Sequence, residues 1–273
     1  MLPDWPSLFN SRPLHERAVE LSLPGQTAPV WFASACRADL QELPPELFLA
    51  EAEIARAAMF KFDQPRENFA LGRLAGKLAL ERGLVCPPPA VAKEGDRIPI
   101  QPALGEALRQ IGIGNGERGE PVVRVRDGES FALGVSLSHV NGRGVAVAFP
   151  AAVRVGLDLE RIDPKRAATV RRGVPLSPEE EHWLQRTTLP EATALLVLWT
   201  AREALGKALG IGLACKWESL ALQEIYPVGT AQFCGSFRHH AAFRCASWVG
   251  IDAVLSLAFE AGGGDVIVIT PRP

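Results

Sequence analysis

Trp199-Thr-Ala-Arg-Glu-Ala-Leu-Gly-Lys207 is the most informative stretch of this 273-residue chain. It lies in a predicted helix over about residues 190 to 209, whose apolar positions recur with helical spacing. Trp199, Glu203 and Lys207 are spaced i, i+4, i+8, so they lie on one line of the helix surface beside the apolar stripe. The helix is therefore predicted to pack on a core and to present a carboxylate and an ammonium group one turn apart.

Two further carboxylates stand on a predicted strand upstream, Val155-Gly-Leu-Asp-Leu-Glu-Arg-Ile162. Apolar and polar residues alternate there, so Asp158 and Glu160 point to the same face of a half-buried strand. Three carboxylates and an ammonium group suggest a divalent metal ion that holds phosphates. Each motif alone also has a structural explanation, as a surface ion pair on a helix or as a solvated strand face.

Together the two motifs resemble the signature of the 4′-phosphopantetheinyl transferases. That signature reads (V/I)G(V/I)D(I/L)E, followed by W(S/T)xKE(A/S)xxK. Both halves, their order and their spacing of about forty residues fit this chain, with Arg202 where the signature has Lys. The resemblance is specific because it joins two motifs that are individually common.

Three other segments are similar to the same family. Gly134-Val-Ser-Leu-Ser-His139 resembles a strand that ends in Ser-His-Ser, and Arg118-Gly-Glu-Pro121 resembles a Gly-Lys-Pro turn with Glu120 in place of the basic residue. Leu176-Ser-Pro-Glu-Glu180 resembles the Phe-(Ser/Thr)-x-x-Glu start of a helix. The resemblance therefore extends over roughly residues 50 to 215.

The resemblance implies an activity and the residues that perform it. The family transfers the 4′-phosphopantetheine arm of coenzyme A to a serine of an acyl or peptidyl carrier protein and releases 3′,5′-ADP. Asp158, Glu160 and Glu203 would hold one Mg²⁺, with Mn²⁺ as a substitute, since hard cations prefer carboxylate and phosphate oxygens. Glu203 would accept the serine proton directly or through a metal-bound water, and Lys207 would neutralise phosphate charge.

The first half of the chain offers a side for the nucleotide of coenzyme A. Arg66, Arg73 and Lys77 fall at i, i+7, i+11 on one predicted helix face, and arginine forks suit phosphate oxygens. A solvated basic face is the ordinary alternative, and the resemblance favours phosphate binding. The predicted coenzyme A contacts are Arg56, Arg66, Arg73, Gly119, Pro121, Ser138, His139 and Lys207.

Three departures from the family pattern leave alternatives open. Asn68 and Glu120 remove positive charge from the predicted nucleotide side, and Val140 replaces a Ser. Coenzyme A could then bind weakly, or dephospho-coenzyme A could be preferred, unless Arg118 compensates. The alternatives to a transferase are a catalytically weakened homologue that binds carrier protein or nucleotide without transfer, and a phosphohydrolase with the same metal site.

The predicted fold class is α+β, with two pseudo-symmetric halves that each pack a small antiparallel sheet with a long helix. The first half would span residues 1–150 with an N-terminal extension, and the second residues 151–273. The resemblance implies that coenzyme A binds in the cleft between them. The other predicted helices cover residues 46 to 62, 65 to 82 and 178 to 186. The predicted strands lie near residues 30 to 34, 121 to 126, 131 to 138, 144 to 149, 153 to 160, 218 to 224, 244 to 248, 254 to 260 and 265 to 269.

Composition narrows the class of protein. A net charge of -2 and a single Tyr argue against nucleic acid as a partner, and 47% apolar against 22% charged residues is ordinary for a globular protein. No apolar run is long enough to span a membrane and no secretory signal is present, so we expect a cytoplasmic protein. Five cysteines without a C-x-x-C pair indicate neither a disulfide framework nor a zinc site.

Two expectations concern partners. The basic run of Lys165, Arg166, Arg171 and Arg172 is the predicted docking surface for an acidic carrier protein, although such runs are often only solvated surface. The two complete half-signatures resemble the monomeric, surfactin-type branch of the family, so we expect a monomer.

The formal G-x-G-x-x-G at residues 114 to 119 is followed by Pro121 and is interpreted as a loop.

Overall fold

The computed structural model describes residues 13–14, 17–85, 104–125, 132–212, 215–261 and 270–271. They form two compact units, an N-terminal one based mainly on residues 27 to 153 and a C-terminal one based mainly on residues 154 to 261. The strand predicted over residues 265 to 269 and the thiol of Cys86 lie outside the described residues.

The strands of the described chain are β1 (Val19–Ser22), β2 (Val30–Cys36), β3 (Ile111–Asn115), β4 (Pro121–Val125), β5 (Leu133–Val140), β6 (Arg143–Pro150), β7 (Val155–Arg161), β8 (Leu222–Pro227), β9 (Gln232–Phe237), β10 (Phe243–Val249), β11 (Ala253–Glu260) and β12 (Thr270–Pro271). The helices are α1 (Arg37–Glu42), α2 (Pro45–Phe48), α3 (Glu51–Ala58), α4 (Asp63–Val85), α5 (Leu104–Arg109), α6 (Pro164–Gly173), α7 (Pro178–Arg186) and α8 (Glu191–Ala208), with a short 3₁₀ helix at Trp217–Leu220.

The N-terminal unit is an antiparallel sheet in the order β12-β1-β2-β6-β5, packed against the long helix α4. Close approach of α4 to β6 depends on Gly144, because a Cβ atom there would lie 2.3 Å from the Leu71 carbonyl oxygen. The helix predicted over residues 65 to 82 continues past Gly83 to Val85. Gly83 lies inside α4 against the Trp31 ring, where a Cβ atom would come within 2.8 Å of Trp31 Cε3.

The prediction of one helix over residues 46 to 62 is wrong, because this segment forms two helices, α2 and α3. Leu49 and Ala50 have extended backbone between the two. The Glu53 carboxylate accepts a hydrogen bond from the Ala50 N–H at 2.8 Å, which caps the start of α3. The C-terminal end of α2 is held from outside, since Lys77 Nζ donates to the Phe48 carbonyl at 2.7 Å.

A separate hairpin of β3 and β4 belongs to the N-terminal unit. Strand β4 was predicted and β3 was not, since residues 114 to 119, which were interpreted as a loop, begin within β3. The turn between the strands contains Gly119 at φ +84°, a backbone conformation that glycine adopts without a steric penalty.

The C-terminal unit is a second antiparallel sheet, in the order β7-β11-β10-β9-β8, packed against α8. Fourteen of the eighteen residues of α8 are buried, so it is a central helix covered on nearly all sides. Helix α6 was not predicted. It begins at Pro164, and the Asp163 side chain caps it by accepting the Lys165 N–H at 2.8 Å.

Each unit thus combines a five-stranded antiparallel sheet with one long helix. The predicted α+β class, with two sheet-and-helix halves, is confirmed.

Candidate functional site

Strand β7 carries Asp158 and Glu160 on the face that packs against α8. Gly156 shares that face, and a Cβ atom on it would lie 2.1 Å from the Ala204 carbonyl oxygen of α8. The glycine therefore lets the helix lie directly on the strand. This contact brings the two strand carboxylates next to the helix residues that the sequence analysis singled out.

Lys207 and Asp158 form the first contact across this interface. The Lys207 Nζ atom lies 2.8 Å from Asp158 Oδ1, and the two side chains are 27% and 10% exposed. The ammonium group is therefore held at the edge of the unit, half-buried, with its charge balanced by a strand carboxylate.

Glu160 is held by one residue from α6 and one from α8. Arg166 donates to Glu160 Oε1 from Nε at 3.0 Å and from Nη2 at 2.6 Å, and Trp199 Nε1 donates to the same oxygen at 3.1 Å. The Arg166 guanidinium also stacks over the Trp199 ring, 4.7 Å from its centroid, and Trp217 packs on that ring at 4.7 Å. Glu160 is thus fixed by a cation and an indole in one stacked arrangement.

Glu203 is less stable as an anion here than an ordinary exposed glutamate is. Burial raises its pKa from the usual 4.5 to about 7, and the negative charges of Asp158 and Glu160 raise it as well. The positive charges of Lys207 and Arg166 oppose the shift without cancelling it. We call Asp158, Glu160 and Glu203 the carboxylate cluster, since their charges act on one another within one small region.

The raised pKa makes a prediction for stability in a metal-free buffer with chelator. The folded protein holds the Glu203 proton more tightly than the unfolded chain, so its stability should fall as pH rises from about 4.5 to about 7. Glu203→Gln removes this penalty. After allowance for partial exposure, the variant should be more stable than wild type by about 1 to 2 kcal/mol at pH 8 and nearly equal to it at pH 5.

Urea unfolding at pH 5 and pH 8 measures this difference. Glu218→Gln, at an exposed position in the same unit, serves as the control and should show no such change between the two pH values. If Glu203→Gln were destabilised equally at both pH values, the charge repulsion inferred for the carboxylate cluster would be wrong.

Arg202 occupies the family's Lys position and does not reach this cluster. It is fully buried and forms an ion pair with Glu180, which is also fully buried. Arg202 Nη1 also donates to the carbonyl oxygens of Pro175 and Trp217. Arg202 therefore has a structural role, since it joins α8 to the start of α7.

In the N-terminal unit, Lys77 is buried and has a structural partner. Its Nζ atom lies 2.6 Å from Glu53 Oε2, and Glu53 Oε1 accepts the Ile113 N–H of β3 at 3.0 Å. Burial lowers the pKa of Lys77. The prediction that Lys77 belongs to an accessible basic face is therefore wrong. Through Glu53 and the Phe48 carbonyl, Lys77 joins α4 to α2, α3 and β3.

The predicted coenzyme A contacts of this unit fall into separate places. Arg56 and Arg73 line one cavity, whereas Arg66 binds the Phe60 carbonyl at 2.9 Å and lines another surface depression. The other predicted contacts lie on strands or turns: Gly119 and Pro121 at the β3–β4 turn, and Ser138 and His139 near the end of β5. His139 is exposed and packs beside Gly72 of α4.

The two residues expected to weaken coenzyme A binding both have local structural partners. Asn68 Oδ1 accepts the Gly142 N–H at 3.3 Å, which supports the turn between β5 and β6. Glu120 Oε2 accepts the Arg118 backbone N–H at 2.9 Å, so its carboxylate caps its own loop. Asn68 and Glu120 therefore stabilise turns at the positions where the family pattern has cations.

The C-terminal unit matches a known family model. Residues 154–258 match the 4′-phosphopantetheinyl transferase superfamily (ACPS). The matched segment covers less than half of the 273 residues and contains the complete carboxylate cluster and Lys207. The superfamily match does not extend to the predicted coenzyme A contacts of the N-terminal unit, which stay predictions.

The crystal structure of Thermotoga maritima holo-[acyl-carrier-protein] synthase (AcpS) is similar at 20% identity over 58% of this chain and 80% of that one, with a TM-score of 0.30. A likeness at that TM-score adds nothing to the assignment. No curated protein matches the chain.

The carboxylate cluster is not arranged as a ready metal site. Within the part of the chain that the structure describes, no three His, Cys, Asp or Glu side chains are placed to hold a metal ion. The reason is visible at two of the predicted ligands, since Lys207 binds Asp158 and Arg166 binds Glu160. Cations of the protein itself neutralise the carboxylates in this arrangement.

Sequence reasoning missed the role of Arg166. Arg166 was predicted only as part of the docking surface for an acidic carrier protein. It stands six residues after Glu160, in the first turn of α6. The signal was Asp163-Pro164, a typical helix start that places the next basic residues on a helical first turn beside the end of β7.

No helix among the described residues is long and apolar enough to cross a lipid bilayer. Of the described cysteines, Cys36, Cys215, Cys234 and Cys245 are free thiols. Burial raises the pKa of Cys234 to about 12, so this thiol is inert at neutral pH.

Proposed function

We propose that the protein transfers 4′-phosphopantetheine from coenzyme A to a serine of an acyl or peptidyl carrier protein. The observation that carries the proposal is the position of Glu203, with a pKa of about 7, beside Asp158, Glu160 and Lys207. All four lie in the segment that matches the superfamily. A carboxylate that titrates near neutral pH next to a fixed ammonium group suits proton abstraction beside a phosphate.

Glu203 is the proposed acceptor of the serine proton. The serine oxygen forms a bond to the phosphorus that carries pantetheine, and the bond from that phosphorus to the bridging oxygen of the diphosphate breaks. Adenosine 3′,5′-bisphosphate leaves with the bond electrons. A base whose pKa lies near the working pH is both deprotonated in part and basic enough to take the proton.

Lys207 is proposed to stabilise the negative charge on the reacting diphosphate. Its ammonium group is exposed enough to meet a ligand and is tied to Asp158 at 2.8 Å, so its direction is set before substrate arrives. Fixed positive charge near a transferring phosphoryl group lowers the barrier without reorganisation during the reaction.

The donor chemistry of the cluster also fits Mg²⁺, with Mn²⁺ as a substitute. Carboxylates are the side chains that Mg²⁺ prefers, and the three carboxylates of the cluster lie close enough for the charges of Asp158 and Glu160 to act on Glu203. Asp158, Glu160 and Glu203 would hold the ion, after the ion pairs to Lys207 and Arg166 open. When bound, the ion would neutralise phosphate charge.

The carrier protein is proposed to dock on α6. Lys165, Arg171 and Arg172 are exposed on this helix, although Arg171 is paired with Glu181 at 2.5 Å. Complementary charge would steer an acidic partner to the helix that begins next to Glu160. Membership of the surfactin-type branch, and with it a monomeric state, is part of the proposal.

Nucleotide release tests the function. We expect adenosine 3′,5′-bisphosphate to appear from coenzyme A only when Mg²⁺ and an apo carrier protein are both present, in an amount equal to the modified carrier. A carrier whose acceptor serine is replaced by Ala is the control and should give no release. Release without any carrier would instead identify a phosphohydrolase, and binding without release would identify a homologue that does not transfer.

A further inference from the structure

Three hydrogen-bond donors converge on one oxygen of Glu160. Arg166, in the first turn of α6, donates to Glu160 Oε1 from Nε at 3.0 Å and from Nη2 at 2.6 Å. Trp199 Nε1 of α8 donates to the same atom at 3.1 Å. A carboxylate oxygen has about two lone pairs, so Oε1 is already fully used by groups of the protein itself.

The Arg166 guanidinium is also held from its flat face. It lies over the Trp199 ring, 4.7 Å from the centroid, and the Trp217 ring packs on Trp199 with 4.7 Å between the ring centroids. A guanidinium stacked on an indole keeps its plane and its donor directions. The side chains of Glu160 and Arg166 are 19% and 39% exposed, so water screens the pair only in part. Arg166 is therefore held on Glu160 more firmly than an ordinary surface partner would be.

Glu160 is at the same time a proposed ligand of a divalent ion. An ion such as Mg²⁺ bonds carboxylate oxygens directly, at about 2.0 to 2.1 Å. Glu160 Oε1 cannot form that bond while two guanidinium N–H groups and an indole N–H group bind it. At Oε2 the guanidinium beside Oε1 would repel the ion, because like charges close together raise the free energy of binding. At either oxygen, Arg166 opposes the ion.

Lys207 and Arg166 are both cations beside the carboxylate cluster, but they differ in what the proposed reaction needs. Lys207 is bound to Asp158 at 2.8 Å and is proposed to act on the diphosphate. Arg166 has no part in the proposed transfer, and its guanidinium hydrogen-bonds only to Glu160 among the residues that the structure describes. Because its side chain is 39% exposed at the start of α6, Arg166 can turn into solvent when it leaves Glu160. Arg166 is therefore the cation whose removal leaves the proposed chemistry intact.

We propose that Arg166 is a positioning residue that holds Glu160 in the metal-free protein and so sets the affinity of the carboxylate cluster for a divalent ion. This inference rests on the proposed function, which makes Glu160 one of the ligands of Mg²⁺. The cluster is competent to bind the ion only in the fraction of molecules in which Arg166 has left Glu160. The apparent affinity for the ion is lowered by that fraction.

Binding of Mn²⁺ to the protein alone tests the competition, with the loss of the free-ion signal in electron paramagnetic resonance as the measurement. Arg166→Met removes the charge and should tighten Mn²⁺ binding about tenfold or more, since no ion pair has to open and no cation repels the metal. Arg166→Lys keeps the charge without the guanidinium fork, so its affinity should lie between those of Arg166→Met and wild type. Arg161→Met is the control. It removes the same charge from an exposed position on the opposite face of β7, and the affinity should stay within about twofold of wild type.

Tryptophan emission gives a second readout without any transfer reaction. In the wild type, addition of Mg²⁺ should change the emission, because the guanidinium leaves the Trp199 ring and the indole N–H loses its bond to Glu160 Oε1. Arg166→Met lacks the stacked cation from the start, so Mg²⁺ should change its emission less. A role for Arg166 in structure alone would alter the starting emission and leave the Mn²⁺ affinity where it was.

Two outcomes would overturn the inference. One is a Mn²⁺ affinity of Arg166→Met equal to or weaker than that of wild type, and a weaker one would mean that Arg166 orients Glu160 for the metal instead of competing with it. The other is the absence of Mn²⁺ binding in both proteins at millimolar concentrations. Failure of the proposed function would look different. The wild type would then transfer nothing to a carrier, while Mn²⁺ would still bind and its affinity would still depend on Arg166.

Discussion

Glu203→Gln is expected to lower the rate of phosphopantetheine transfer by about 10² to 10⁴, the range usual for loss of a general base. The amide has nearly the same shape as the carboxylate but cannot accept the serine proton. It also removes one negative charge from the proposed metal ligands. Because burial and then the negative charges of its neighbours raise the pKa of Glu203, its ionised form is unfavourable in the folded protein, and the same change should leave the protein folded.

Single-turnover transfer at saturating coenzyme A and carrier protein measures this effect on the chemical step. Glu218→Gln, an exposed change in the same unit, is the matched control and should react at the wild-type rate. A rate for Glu203→Gln within about threefold of wild type would remove Glu203 from the proposed mechanism.

Arg202→Met is expected to destabilise the protein by about 3 to 5 kcal/mol, the cost of leaving one member of a buried ion pair without its partner. Glu180 would keep only its backbone donors, the Ser177 N–H at 2.8 Å and the Leu222 N–H at 3.0 Å. Both side chains of the pair are 0% exposed, so water cannot replace the lost guanidinium.

Urea unfolding of a small set of variants tests this pair. The double variant Glu180→Gln/Arg202→Met should lose less stability than the sum of the two single changes, because the uncompensated charge is gone. Arg238→Met breaks the exposed pair with Glu179 and should cost no more than about 1 kcal/mol. A loss that small for Arg202→Met would show that the buried pair does not hold α7 and α8 together.

The parts of the site that could be predicted from the sequence are those set by local periodicity. Alternation along residues 155 to 161 placed Asp158 and Glu160 on one face, and helical spacing placed Glu203 and Lys207 one turn apart. The structure brings these four residues together because Gly156 lets strand and helix touch.

The partners of those residues could not be predicted in the same way. Arg166 reaches Glu160 only because α6 folds back beside β7, and Arg202 is buried only because the start of α7 lies against α8. Such contacts depend on tertiary packing, which a local pattern does not encode. A charged residue inside a functional motif can therefore be structural, as Arg202 is here.

The N-terminal unit shows the same limit more strongly. Helical spacing of Arg66, Arg73 and Lys77 predicted one basic face, but the structure gives the three residues different surroundings. Lys77 is buried and pairs with Glu53 of another helix, and Arg73 lines a cavity together with Arg124 of β4. The spacing of residues along one helix cannot identify Glu53 or Arg124, because these residues belong to other elements.

Intact mass measurement of an apo carrier protein, after incubation with this protein, Mg²⁺ and coenzyme A, tests the central claim most directly. The account predicts a gain of one phosphopantetheine group on the carrier serine, which is lost when Glu203→Gln replaces the wild type. An unmodified carrier in every reaction, with carriers from several biosynthetic systems and with coenzyme A demonstrably bound, would contradict it.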